Sequence, residues 1–187
     1  MTAGQDRRPS ALAGVRYGAI ARHGDERGSF RELWRSGEFP DVGFVQANLS
    51  TSAAGVLRGL HLHRRQDDLW VVADGRAHVA LVDVRPMLDG SGPAVVETRD
   101  LAADDWVFIP TGVAHGFLAV EPLQLVYLVT NAYDGSDELG FAWDDPAVGV
   151  AWPAVGTTPD RRPILSARDA ANPSLADVVV RLLHDPI

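Results

Sequence analysis

Cysteine is absent from the 187 residues, and so is lysine. Without cysteine there are no disulfides, no thiolate metal ligands, no iron–sulfur cluster and no cysteine nucleophile. Without lysine, Schiff-base chemistry, pyridoxal phosphate enzymes and the P-loop lysine are excluded, because all 17 basic residues are arginines. No apolar run approaches the roughly 18 residues of a membrane span, and no charged-then-apolar leader precedes a cleavage site. A cytoplasmic protein with no membrane partner is therefore expected. Acidic residues outnumber basic ones 25 to 17, a formal net charge of −8. That sign argues against nucleic acid as a partner, although a locally basic pocket can still take a small anion.

What remains is the composition of one ordinary globular domain over residues 1–187, with the polar, pattern-free MTAGQDRRPS of residues 1–10 as a loose tail. From Val42 to Tyr133 the chain reads as short strands. Phe44–Leu49, Val56–His61, Leu69–Val72, His78–Val84, Val95–Thr98, Trp106–Ile109 and Leu123–Thr130 are rich in Val, Leu, Ile and aromatics. Turn residues separate them at Ala54-Gly55, Asp74-Gly75, Asp89–Pro93 and Pro110–Gly112. Short strands at near-regular spacing predict an all-β sandwich or barrel. One helix is predicted in Pro173–Leu183, with Ser174 as N-cap and Asp177 in the first turn, where the helix dipole favours an acid.

The densest chemical signal is GVLRGLHLHRRQDDLWVVADG, residues 55–75. His61 and His63 lie two apart in a strand, so both point to one face. A further histidine, His115, follows the turn in IPTGVAHGF. Gly55, His61, His63, Asp68 and Gly75 resemble the first cupin motif, G-x5-H-x-H-x4-E-x6-G, with Asp in place of Glu. Pro110-Thr111-Gly112-x-x-His115 resembles the core of the second, with Ala119 at its Asn position.

A closer resemblance runs along almost the whole chain. GDERGSFRELW (24–34), FVQANLSTSAAGVLRGLHLH (44–63), VDVRP (82–86), IPTGVAHGFLAV (109–120), the Tyr127-x5-Tyr133 spacing, WDDPAVGVAWP (143–153) and LSARDA (165–170) are similar to the deoxythymidine diphosphate (dTDP)-4-dehydrorhamnose 3,5-epimerase family. This resemblance implies a cupin-type jelly roll with a short C-terminal helix, a homodimer, and no cofactor or metal. The implied substrate is a dTDP-4-keto-6-deoxyhexose, inverted at C3, C5 or both. Hydrogens on these carbons are acidic because they are α to the C4 ketone. Inverting them takes a base on one face, an acid on the other and a group that stabilises the enolate oxygen.

By this resemblance His61 is the base, Asp169 its partner and Tyr127 the acid. Taken alone, Asp169 reads as a solvated loop acid and Tyr127 as a core-facing aromatic. The resemblance likewise assigns Arg27 and Arg58 to the diphosphate, which suits bidentate guanidinium pairing. Phe30 and Glu32 would face the base, and Gln46, Asn48, His115, Tyr133 and Arg168 would complete the pocket. Trp143, Trp152 and Pro153 read as packing and termination.

Two departures from the family pattern fall inside the site. An amide usually stands where this chain has His63, and a lysine where it has Asp68. Together His61, His63, Asp68 and His115 form three histidines and one carboxylate, a set suited to Fe(II), Mn(II), Ni(II) or Zn(II). A metal-dependent cupin enzyme is thus an alternative, and it competes with the epimerase reading for His61. A non-catalytic nucleotide-sugar binding module is the other.

Overall fold

The computed structural model of the chain describes residues 9–133, 135, 137–154 and 162–185. Residues 1–8 of the expected tail lie outside the described residues. Pro9 and Ser10 are bonded to the body: the Pro9 carbonyl accepts from Arg99, and the Ser10 hydroxyl donates to Glu97 at 3.0 Å.

The described strands are β1 (Arg16–Ala19), β2 (Arg22–Asp25), β3 (Gly28–Arg31), β4 (Gln46–Ser52), β5 (Leu57–His63), β6 (Asp68–Asp74), β7 (Arg76–Asp83), β8 (Val95–Ala102), β9 (Asp105–Ile109), β10 (Val113–Ala119), β11 (Leu123–Val129) and β12 (Glu138–Gly140). A short helix α1 (Arg85–Leu88) follows β7, and α2 (Leu175–His184) closes the described chain. Five strands in the order β1-β9-β6-β11-β4 form one antiparallel sheet, and β12-β5-β10-β7-β8 form a second. This is the jelly-roll architecture expected from the sequence. No helix among the described residues is long and apolar enough to cross a membrane.

Three apolar layers hold the sheets. Tyr17, Val72, Val79, Leu81, Val107, Ile109, Phe117 and Leu125 fill the space between them. Phe39 packs on the outer face of the first sheet against Leu69, Val71, Trp106 and Phe108. On the outer face of the second sheet, Leu60, Leu62, Val82 and Ala114 meet Leu175, Val178, Val179 and Leu182 of α2. The helix starts where the sequence indicates, with the Ser174 hydroxyl accepting from the Asp177 N–H. Trp152 packs in this outer layer too, its indole N–H donating to the Trp143 carbonyl at 2.8 Å.

Backbone approach sets the spacing of the site strands. A Cβ on Gly59 would come within 2.6 Å of Gly116 Cα, and one on Gly116 within 2.8 Å of the Arg58 carbonyl. The two glycines let β5 and β10 close on each other just beside the register pair His61–His115.

The hairpin β2–β3 is exposed along most of its length and stands apart from both sheets. Asp104 anchors it, accepting from Arg22 Nε at 2.8 Å and from Arg31 Nη1 at 2.7 Å. Burial alone would raise the Asp104 pKa, but the bonds and charges of the two arginines outweigh it and hold the carboxyl below its ordinary value. Such a group stabilises the fold fully above the unfolded-state pKa, and the benefit is lost as pH falls through the lowered folded value. Asp104→Asn, which tolerates the backbone φ of 79°, should cost about 1 kcal/mol at neutral pH. In urea titrations the gap between the two proteins should shrink as pH drops into and below the carboxylate range. An equal gap at every pH would remove the ion pairs as the anchor.

Candidate active site

Strand alternation builds the site. The residues of β5, β6, β10 and β11 that point between the sheets include apolar Val72, Phe117 and Leu125 toward one end. Toward the other end the same faces carry His61, His63, Asp68, His115 and Tyr127, and the inner face of β4 adds Gln46, Asn48 and Ser50. The sheets therefore enclose a cavity of about 430 Å³ rather than continuing the core. Gln46, Asn48, Arg58, His61, His63, Asp68, His115, Tyr127, Tyr133, Glu138, Arg168 and Asp169 are among its lining residues.

His61 and Asp169 are brought together across 108 positions of sequence, with Nε2 2.8 Å from the carboxylate Oδ1. Asp169 is only 5% exposed and would be raised by burial, yet bonds from His61, the Ser166 hydroxyl and the Gly59 N–H hold its pKa below the ordinary value. An ionised carboxylate can only accept, so His61 Nε2 carries a proton, and in the neutral ring the lone pair is on Nδ1. On that side lies Glu138, whose Oε1 is 3.7 Å from Nδ1 and whose Oε2 accepts from Arg168 at 2.5 Å. Glu138 is a site residue that the sequence reading missed. It is one acid among several in YDGSDELG, and only the pairing of β12 with β5, Glu138 opposite His63, places it beside the histidines.

His63 and His115 have a different bonding pattern. His63 Nδ1 lies 3.2 Å from the Asp137 carbonyl, and His115 Nδ1 lies 3.1 Å from the Val113 carbonyl. Carbonyls accept only, so both rings are protonated on Nδ1 and bare on Nε2. Burial, followed by the proximity of His61, pushes His115 down to about 4, and burial with His115 nearby lowers His63 as well. Asp68, 2% exposed, is pushed up by burial against the opposing effects of His63, Gln66 and Trp70. One ligand atom from each of His63, Asp68 and His115 lies within 4.8 Å of the others. Among the described residues this is the set with metal-ligand spacing, and His61 is not in it. The expected competition for His61 therefore dissolves, because its Nε2 is committed to Asp169 while the other three converge beside it.

Tyr127 is half-buried, and burial together with the Asp68 charge raises its phenol pKa against the opposing charge of Arg58. Arg58 donates to the Ser52 hydroxyl and the Thr51 carbonyl. Gln46 bonds Asn48 at 2.8 Å and accepts from the Tyr133 N–H, which fixes both amides at the mouth. Arg27, Phe30 and Glu32 do not join this group. They sit on or beside the β2–β3 hairpin, outside the lining of the cavity: Arg27 pairs with Asp25, Glu32 with Arg35, and Phe30 is 66% exposed.

Residues 9–177 match the sequence model of the dTDP-4-dehydrorhamnose 3,5-epimerase family. The chain is 38% identical over 145 residues to the spore coat polysaccharide biosynthesis protein SpsL of Bacillus subtilis, covering 75% of this chain and 96% of that one. It is 37% identical over 161 residues to the dTDP-4-dehydrorhamnose 3,5-epimerase of Salmonella typhimurium, covering 81% and 85%. Among solved structures, dTDP-6-deoxy-D-glucose-3,5-epimerase of Legionella pneumophila in complex with dTDP-4-keto-L-rhamnose matches with a TM-score of 0.83 at 28% identity, covering 96% of this chain and 97% of that one.

The ring assignments are measurable. Imidazole ¹⁵N spectra should show both neutral rings as Nδ1–H tautomers, with His115 still neutral at pH 6 and charging only as pH approaches about 4. Because its folded pKa lies below the unfolded one, His115 makes the protein less stable as pH falls through that window. A charged His115 at pH 6, or an Nε2–H signal from either neutral ring, would contradict the bonding described.

Proposed function

The chain belongs to the dTDP-4-dehydrorhamnose 3,5-epimerase family, and we propose that it epimerises a dTDP-4-keto-6-deoxyhexose with His61 as base, Asp169 as its partner and Tyr127 as acid. The observation that carries these roles is the 2.8 Å bond from His61 Nε2 to Asp169, which leaves Nδ1 unprotonated in the cavity that Tyr127 also lines.

The chemistry follows from the two protonation states. His61 Nδ1 takes a proton from a carbon α to the C4 ketone, and Asp169 stabilises the imidazolium that forms. Electron density moves onto the ketone oxygen as an enolate. Tyr127, held protonated at neutral pH by its raised pKa, returns a proton to the opposite face and inverts the centre. Glu138 lies on the Nδ1 side of His61, its Oε1 3.7 Å from that nitrogen.

The remaining assignments concern binding. Arg58 holds the diphosphate, with Gln46, Asn48, His115, Tyr133 and Arg168 around the rest of the ligand. Arg27, Phe30 and Glu32 lie outside this cavity. The exposed Phe30, Val45 and Leu49 on the hairpin and about β4 support a homodimer. A doubly charged nucleotide sugar does not cross a bilayer unaided, which favours the cytoplasm as the place of work.

In D2O, dTDP-4-keto-6-deoxyglucose incubated with the protein should acquire deuterium at C3 and C5, or at one of them for a mono-epimerase, as read by NMR. His61→Asn should slow this by roughly 10²–10⁴-fold with its circular dichroism unchanged. No deuterium at either carbon in folded protein would overturn the substrate, and undiminished exchange in His61→Asn would overturn the base.

A further inference from the structure

We infer that His63, Asp68 and His115 form a divalent-metal site on the cavity wall, separate from the His61–Asp169 pair and open toward the bound substrate.

The first reason is a shortage of protons. Both imidazoles spend their Nδ1–H on main-chain carbonyls, His63 on Asp137 and His115 on Val113. The nitrogen left in each ring is a lone pair, and the third member is a carboxylate. One ligand atom from each of the three lies within 4.8 Å of the others in a place where Asp68 and His115 are 2% and 4% exposed. Two ring lone pairs and a carboxyl group turned toward one another in so dry a place are satisfied by an electrophile between them. A first-row divalent cation meets that need, and two imidazoles with one carboxylate are a ligand set such ions accept.

The second reason is that these rings are already held as metal ligands are held. A ligating histidine ordinarily donates its other N–H to a carbonyl or carboxylate, which fixes tautomer and ring orientation. His63 is secured further, because the side-chain carboxylate of that same Asp137 accepts from the N–H groups of Arg64 and Arg65 at 3.0 Å each. Asp68 is fixed by a bond from Gln66 at 3.1 Å. Three protein ligands leave coordination positions open, and all three residues line the substrate cavity.

The third reason is chemical, and it rests on the epimerase reading. An enolate oxygen needs a positive partner. The chain has no lysine, and the two arginines lining the cavity are engaged: Arg168 with Glu138, and Arg58 with Ser52 and Thr51. A metal at His63, Asp68 and His115 would act as the Lewis acid on the ketone oxygen while His61 remains free as the base.

The test uses Co(II) as probe. Full-length protein is stripped with chelator, titrated with Co(II), and read by visible absorption and by metal analysis after desalting. One Co(II) per chain is expected, displaced by Zn(II). His63→Gln and Asp68→Asn should each weaken binding by more than about tenfold, since even outer-shell partners of metal ligands are worth that much. His61→Asn should bind Co(II) like the parent. The proposal is overturned if the parent holds no more Co(II) than His63→Gln, or if His61→Asn loses the ion as well. Deuterium exchange in stripped and reloaded protein separates the two readings. Exchange that is equal in both removes the Lewis-acid role and leaves the epimerase; stoichiometric metal with no exchange in either keeps the site and removes the epimerase.

Discussion

Two sheets face each other in this protein, and every side chain pointing between them must find either an apolar neighbour or a hydrogen-bond partner. Toward one end the alternation of β6, β10 and β11 supplies Val72, Phe117 and Leu125, and the gap closes as core. Toward the other these strands and β5 supply histidines, a carboxylate and a phenol, and the gap stays open as a cavity. The glycine pair at positions 59 and 116 brings β5 and β10 together at the boundary. Site and core are therefore one structure: strand register decides which residues meet, and a one-residue slip of β5 would turn His61 and His63 outward onto α2.

Hydrogen-bond accounting gives the three cavity histidines two different jobs. His61 gives its Nε2 proton to a carboxylate and keeps a basic Nδ1, the arrangement of a base awaiting a proton. His63 and His115 give their Nδ1 protons to carbonyls and keep Nε2, which leaves them as neutral electron-pair donors. On the proposed reading the same residue type is proton acceptor in one place and metal ligand in another, and the difference is set by partners contributed from distant segments: Asp169 for His61, Asp137 for His63.

Much of this was legible in the sequence, for identifiable reasons. Strands that bury one face, such as β4 and β5, show the period of two that places His61 and His63 together. The helix was legible from Ser174 and Asp177. By contrast, β10 reads VAHGFLA and was seen only as the sequel to a turn. Every one of its seven residues is buried, because both faces are covered, and no alternation survives. The hairpin β2–β3 was missed for the opposite reason, since it buries almost nothing and depends on Asp104, more than seventy residues away in sequence from Arg31. In the site, spacing alone indicated the histidines. Asp169 came from resemblance, and Glu138 from neither, because its importance arises when β12 is laid beside β5.

We propose a division of labour across the sugar ring, with His61 on one face and Tyr127 on the other. Tyr127→Phe separates the two halves. In D2O with dTDP-4-keto-6-deoxyglucose, this variant should still exchange the α-hydrogen through His61 and return deuterium to the same face, so that NMR shows labelled sugar of unchanged configuration. Labelled sugar of inverted configuration at the parent rate would contradict the assignment of Tyr127 as the opposing acid and, with it, the two-faced account of the site.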